Sequence, residues 1–316
     1  MPRSFTITCE QNDIRLDVFL SEQLSLTRTK IKEMIEGGHV RVDGRVPKPA
    51  MRLKAGLEIS GEIPEDEPIG LAAERVPLNI LYEDNYFLAI NKPADMVVHP
   101  SFGHSSGTLV NAVLGYLERT GFTFHVSRFT NNGTDGMAGM RPGIVHRLDK
   151  GTTGVILIAR DPRTQEKLSG LFKDRDVRKT YRALVEGTPP WDVLTVNGNI
   201  GRHPVDRKKM TVLRSGGRYA TTGFKVLERL EGFSCIEAYP ATGRTHQIRV
   251  HLSHAGFPIV GDETYGRKAK RLAARPLLHA YRIEFVHPVT GAPVKIEAPV
   301  PPDMNEFMEK HRGQNA

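Results

Sequence analysis

The segment HRLDKGTTG, His146 to Gly154, sets one carboxylate, Asp149, between Arg147 and Lys150 in a turn-forming stretch. A carboxylate among cations is either a salt-bridged surface residue or a nucleophile held ionised, since nearby positive charge favours the anion. Asp149 stands just before GVILIAR, a short apolar run whose length and β-branched content are those of a buried strand. It is therefore expected at a strand end, where active-site loops collect.

Two further segments hold groups that could serve such a carboxylate. In TGRTHQIRVHLSHAG, Ile248, His251, Leu252 and Ala255 follow the i, i+3, i+4, i+7 spacing of a helix packing face. Arg249 falls off that stripe, and Gly256 supplies a stop. In RKTYRALVEG, Tyr181, Ala183 and Val185 alternate on one face of an expected strand. His246, His251 and His254 do not give three ligands one helical face, so no metal site is expected. A phosphate-binding glycine loop is absent as well.

HRLDKGTTGVILIAR resembles the nucleophile motif of the RluA-like family of RNA pseudouridine synthases. INKPADMVVHPS (Ile90 to Ser101) resembles the family's opening motif. RKTYRALVEG, ATGRTHQIRVHLSHAGFPIVGDETYG (Ala241 to Gly266) and LLHAYRIEFVHPVTG (Leu277 to Gly291) follow in the family's order. The likeness is strongest to the large-subunit, D-type members. Two positions depart from the pattern: Gly151 stands where the family commonly has an acidic residue, and Asp95 where many members have glycine.

The resemblance implies isomerisation of uridine to pseudouridine. The glycosidic bond breaks, the uracil turns, and a carbon–carbon bond forms to the same ribose. No redox carrier, nucleotide or metal is needed, so no cofactor is expected. Asp149 would be the catalytic group, either attacking sugar or base or assisting a sugar intermediate. Arg249 would be its cationic partner, and Tyr181 would stack on the base and exchange protons. Arg147 would fill the space of the extruded uridine. Ile248 has two readings, contact with the uracil face or core packing alone. His146, Lys92, His99 and Lys150 are expected to shape the pocket rim, and RHPVDRKKM and GRKAKRLAARP to offer basic surface for phosphates.

Composition fits these expectations. The 316 residues are 39% hydrophobic and 25% charged, which suits a globular protein of two domains rather than a disordered chain. A net charge of +8 and a pI near 9.5 favour a polyanionic partner. Cys9 and Cys235 fit no zinc or redox spacing and are expected as reduced thiols. The N-terminus has no apolar signal core and no apolar run approaches membrane-spanning length, so a cytoplasmic, membrane-free protein is expected, acting as a monomer.

The elements that must position these groups fall into two parts. Leu16, Phe19, Leu20 and Leu24 recur at helical spacing, and Ile31, Met34 and Ile35 repeat the pattern after Thr27, an N-cap candidate. Gly37-Gly38 ends the second helix, and HVRVDGRV then alternates around Asp43-Gly44, the signature of a tight hairpin. Residues 15 to 54 hold nine Lys/Arg (15, 28, 30, 32, 41, 45, 48, 52, 54) against five Asp/Glu (17, 22, 33, 36, 43). This order resembles the RNA-binding domain named for ribosomal small-subunit protein four, with Arg28, Lys32, Arg41 and Arg45 expected to bind RNA.

Residues 1–62 are expected to form that domain, 63–76 an acidic linker, 77–303 the catalytic domain and 304–316 a frayed tail. Thr123 to Gly143, polar and rich in Gly and Asn, reads as a long loop. The catalytic part shows many strands without regular helical crossovers, hence an α+β fold with a mixed, mainly antiparallel sheet, beside a small N-terminal α/β domain. The N-terminal module favours structured large-subunit ribosomal RNA over transfer RNA as partner. The competing readings are a noncatalytic ribosome-assembly factor, against which Asp149, Tyr181 and Arg249 stand together, and a nucleoside or glycoside hydrolase, which needs a second acid.

Overall fold

The computed structural model describes residues 3–24, 26, 28–63, 72–99, 106–120, 143–206, 209–266 and 272–313. They fall into two compact units, one up to residue 63 and one from residue 72.

The first unit runs β1 (Arg3–Thr8), β2 (Ile14–Arg15), α1 (Leu16–Gln23), α2 (Arg28–Glu36), β3 (Val40–Val42), β4 (Arg52–Leu53) and β5 (Glu58–Ile63). The apolar stripes expected of α1 and α2 are buried: Leu16, Phe19, Leu20, Ile31, Met34 and Ile35 meet Val40, Leu53 and Ile59 in one core. β5 lies between β1 and β3, antiparallel to both. Gly38, at φ 77°, ends α2 with paired bonds, His39 N to Met34 O at 2.9 Å and Gly38 N to Ile35 O at 3.1 Å, the Schellman pattern. The N-cap candidate Thr27 lies outside the described residues.

Asp43 and Gly44 make the expected two-residue turn, both at positive φ, with Val42 and Arg45 exchanging hydrogen bonds of 2.9 and 3.0 Å. The hairpin itself is a correction, because pairing stops after that single bridge and β3 takes β5 as its ladder partner. Pro47 and Pro49 in the returning segment have no N–H to offer a second strand.

The second unit runs β6 (Ile80–Glu83), β7 (Phe87–Lys92), α3 (Leu109–Arg119), β8 (Thr153–Ala159), α4 (Pro162–Asp174), β9 (Arg178–Glu186), β10 (Val193–Arg202), β11 (Met210–Leu213), β12 (Arg218–Arg229), β13 (Phe233–Pro240), α5 (Gln247–His254), β14 (Leu278–Val286), β15 (Pro293–Glu297) and α6 (Pro302–His311). Among the described residues its strands form one 10-stranded sheet in the order β11-β10-β12-β13-β9-β14-β8-β7-β6, with β15 beside β14. Every pairing is antiparallel except β14 with β8. The fold is α+β, as expected.

β8 is buried along its whole length because both faces are covered. Ile156 and Ile158 face Leu109, Val113 and Leu117 of α3, while Val155 and Leu157 face the opposite side with Leu168 of α4. Period-two alternation thus feeds two cores. In β9, Ala183 and Val185 share a cluster with Tyr181 and with Ile248 and Leu252 of α5, whereas Leu184 meets Met304 and Phe307 of α6.

That last contact corrects the frayed tail for residues 304–311. Pro302 opens α6, and Met304 and Phe307 stand one turn apart and buried. Residues 72–76, the end of the acidic segment, lie along α3: Glu74 N donates to Asn111 O at 2.9 Å, and its carboxylate accepts from Gly107 N at 3.0 Å. The segment read as a long loop lies outside the described residues up to position 142. Cys9 and Cys235 are unpaired and buried, and burial pushes the Cys235 thiol up to about 11.

Candidate active site

Three neighbouring strands and one helix deliver the site. Asp149 precedes β8, Tyr181 lies in β9, and β14 runs between these strands, pairing His279 with Thr153 and Ala280 with both Gly154 and Tyr181. The parallel contact needs Gly154: at φ 106°, a Cβ there would stand 2.2 Å from Ala280 O. β13 ends at Pro240, and a short loop leads into α5 and Arg249.

The side chains converge on a cavity of about 490 Å³ lined by Arg147, Asp149, Tyr181, Ile248 and Arg249 among others. Arg249 Nη1 donates to Asp149 Oδ2 at 3.0 Å. Arg249 lies off the packing stripe, as its spacing predicts, yet it is buried, because Asp262 receives the rest of it: Nε to Oδ2 at 2.7 Å and Nη2 to Oδ1 at 2.9 Å. Burial works against the guanidinium charge, but Asp262 and then Asp149 outweigh it and raise its pKa above the ordinary arginine value. Asp262 was not foreseen. Its signal was GDETYG, a turn whose Thr264 and Tyr265 amides also donate to Oδ1, at 2.9 and 3.1 Å.

The turn carrying Asp149 is pinned from beneath by two buried cations. Lys92 Nζ donates to the carbonyls of Pro93, Met96 and Lys150 at 2.8, 3.0 and 3.1 Å. Burial, then the charge of Arg275, pulls its pKa down to about 7. Arg275 Nη1 donates to Gly151 O at 3.2 Å, and its Nε and Nη2 pair with Asp303 at 2.7 and 2.8 Å. Both correct the sequence reading: Lys92 is a fully buried strut rather than rim, and Arg275 is not free surface for phosphates. The departure at Gly151 also has a cause, since a Cβ there would meet Pro276 Cδ at 2.9 Å. Asp95, the other departure, holds φ 63°, a left-handed conformation that glycine adopts freely and aspartate tolerates.

His146 lines the cavity, stacked on Phe172 with centroids 4.5 Å apart. Its Nε2 accepts from Leu157 N at 2.9 Å, and burial, then Lys179, pushes its pKa down to about 3, so it is neutral. His246, at φ 56°, caps α5 and places Nε2 3.8 Å from Asp149 Oδ2 while Nδ1 meets Tyr265 Oη at 2.9 Å. The loop before α5 is bolted by Gln247, which accepts from Thr242 Oγ1 and Arg244 N and donates to Thr221 O and Thr222 Oγ1. Among the described residues the Tyr181 hydroxyl makes no hydrogen bond, and burial, then Asp149, raises its pKa above the ordinary tyrosine value. Ile248 lines the cavity and also joins the α5 core.

A carboxylate held at 3.0 Å by a clamped guanidinium, beside a half-buried tyrosine in one cavity, suits attack on a flat base or its sugar. Residues 86–254 match the RNA pseudouridylate synthase family. The chain belongs to that family. It is an RNA pseudouridine synthase of the RluA-like type, and residues 14–59 match the S4 domain. An uncharacterized RNA pseudouridine synthase of Bacillus subtilis is 39% identical, covering 97% of this chain and 97% of its own. Ribosomal large subunit pseudouridine synthase D of Xanthomonas campestris is 38% identical over 96% of this chain and 90% of its own. In structure, human RNA pseudouridylate synthase domain containing 1 aligns with a TM-score of 0.54 and 27% identity, covering 72% of the synthase and 85% of the human chain.

In the S4 domain of the synthase, Lys32 Nζ lies 3.5 Å from Glu36 Oε1, Arg41 Nη1 donates to Gly44 O at 3.1 Å, and Arg45 is exposed. The Arg28 side chain lies outside the described residues, as do residues 207–208 and 267–271 of the two basic segments. No helix of the described residues is long and apolar enough to cross a membrane.

Proposed function

We propose that Asp149 is the nucleophile of this synthase and that its substrate is a uridine of large-subunit ribosomal RNA. The observation that carries the first part is the 3.0 Å bond from Arg249 to Asp149, inside a cavity that also holds Tyr181. Arg249 keeps the carboxylate charged and oriented where desolvation alone would favour its neutral form. Tyr181 stacks on the uracil and exchanges protons through its hydroxyl, Ile248 touches the base face, and Arg147 fills the place of the extruded nucleotide. Once the new carbon–carbon bond forms, the proton on the attacking uracil carbon must leave, which restores the aromatic ring.

The second part is supported by the S4 domain and by relatives named for the ribosomal large subunit. Residues 1–62 act as the RNA-binding domain through Arg28, Lys32, Arg41 and Arg45, and the catalytic domain runs from residue 72 through α6. Ribosomal RNA places the enzyme in the cytoplasm. We read the chain as acting alone, as a monomer.

Asp149→Asn keeps the shape and removes the anion. Mapping carbodiimide-resistant uridines in ribosomal RNA should show pseudouridine with the wild type and none with the variant, while RNA binding survives. Full activity in Asp149→Asn would remove Asp149 from the mechanism.

A further inference from the structure

We propose that Lys179 and Arg175 form a phosphate subsite in the wall of the Asp149 cavity, which takes the backbone phosphate of the nucleotide whose base lies on Tyr181. The inference rests on the reading of that cavity as the uridine site.

The charges lining the cavity do not balance. Among the described residues Asp149 is the one acid in the wall, against Arg147, Lys173, Arg175, Lys179, Arg244 and Arg249. Arg249 is matched by Asp149 and Asp262, which leaves five cations with no carboxylate in the cavity wall. Uracil and ribose are uncharged, so these cations do not serve the base; a phosphodiester backbone does need them.

Two of the five stand apart by position. Lys179 lies two residues before Tyr181 in β9, so both side chains leave the strand on the same face, about 7 Å apart along it. That is a suitable offset for a base and its own phosphate. Arg175, at φ 69°, ends α4 in the left-handed conformation and turns the chain back toward β9, and it lines the same cavity. Lys179 is half-buried, and burial, then the charge of Arg175, lowers its pKa. Two like charges lining one cavity repel, and an anion between them converts that repulsion into two charge-assisted bonds. Favourable contact with the C-terminal dipole of α4 would explain Lys173 and Arg175. It does not explain Lys179, which stands on a strand.

Neutral methylphosphonate linkages provide the test, placed one at a time around the mapped target uridine in a synthetic RNA. Lys179→Met and Arg175→Gln should each weaken binding of the unmodified RNA about tenfold and flatten the slope of log affinity against log salt by ~0.7. Lys179→Arg, which keeps the charge, should restore affinity, so a packing defect is separable. At one linkage, methylphosphonate should cost the wild type the same factor and cost Lys179→Met nothing more. Wild-type affinity and salt slope in Lys179→Met, or a loss that persists at every linkage, overturns the subsite while leaving pseudouridine formation by the wild type intact. No pseudouridine from the wild type on any ribosomal RNA overturns the parent reading and the subsite with it.

Discussion

Asp262 grips Arg249 through two parallel hydrogen bonds, at 2.7 and 2.9 Å, and so leaves Nη1 as the guanidinium nitrogen turned toward Asp149. A bidentate arginine–carboxylate pair has one geometry, which a lone arginine beside Asp149 would not have. Asp262 is itself fully buried and tied to two backbone amides of its own turn. On the proposed role of Asp149, it is a positioning residue that acts through Arg249.

Asp262→Asn should therefore separate catalysis from RNA binding. The amide turns one acceptor into a donor facing a guanidinium, so Arg249 rotates away from its present direction. Misplacement by about 1 Å costs on the order of a hundredfold in rate, and a broken buried ion pair costs about 3 kcal/mol in stability. Single-turnover rates and melting temperature, with RNA affinity as control, check both. An unchanged rate in a destabilised variant would reduce Asp262 to a structural role.

Asp149 stood out in the sequence because its surroundings are local, a turn, a flanking strand and cations within two residues, while its catalytic role rested on the family resemblance. The groups that hold it did not stand out. Lys92 reaches Lys150 O across 58 positions and Arg275 reaches Gly151 O across 124, and a charged side chain gives no sign that distant carbonyls will bury it. Helix periodicity made α1, α2 and α5 visible. α6 was not, because its buried residues Met304 and Phe307 make sense only once Leu184 supplies a face. The failed hairpin shows the reverse, a correct turn whose continuation two prolines forbid.

Acid should destabilise the fold through its buried histidines. His251 and His279 are fully buried, and burial pushes each down to about 4 from a model-peptide value of 6.5. His279 is held neutral between Thr153 Oγ1 and Ala298 O, and His251 Nε2 has no hydrogen-bond partner among the described residues. Above pH 6.5 both states are neutral and stability is complete. As pH falls toward 4 the unfolded chain takes up a proton at each of His251, His279 and His146 that the folded chain refuses, so stability drops by up to about 4 kcal/mol per pH unit. Urea midpoints from pH 7 to 4.5 test this, and a flat profile would mean that these histidines are protonated in the native state.

Charge removal in the S4 domain should change salt dependence more than chemistry. Replacing Lys32, Arg41 and Arg45 by Gln removes three cations, and if each neutralises a phosphate the salt slope falls by roughly two to three units. The single-turnover rate at saturating enzyme should hold. An unchanged slope would show that this face does not touch the RNA.

Tyr181→Phe separates a core ring from a working hydroxyl. The ring packs against both the α3 and α5 cores, and its hydroxyl makes no hydrogen bond among the described residues. Phenylalanine should therefore fold with a melting temperature close to that of the wild type, because no buried bond worth about 1 kcal/mol is lost. Burial and Asp149 both keep the proton on the hydroxyl in the resting enzyme. If that group exchanges a proton with the uracil, its removal should slow the single-turnover rate by about a hundredfold with RNA affinity nearly intact. Wild-type turnover in Tyr181→Phe would leave the ring with stacking alone, and Tyr181→Leu, which also removes the flat surface, would then be the variant that loses both rate and binding.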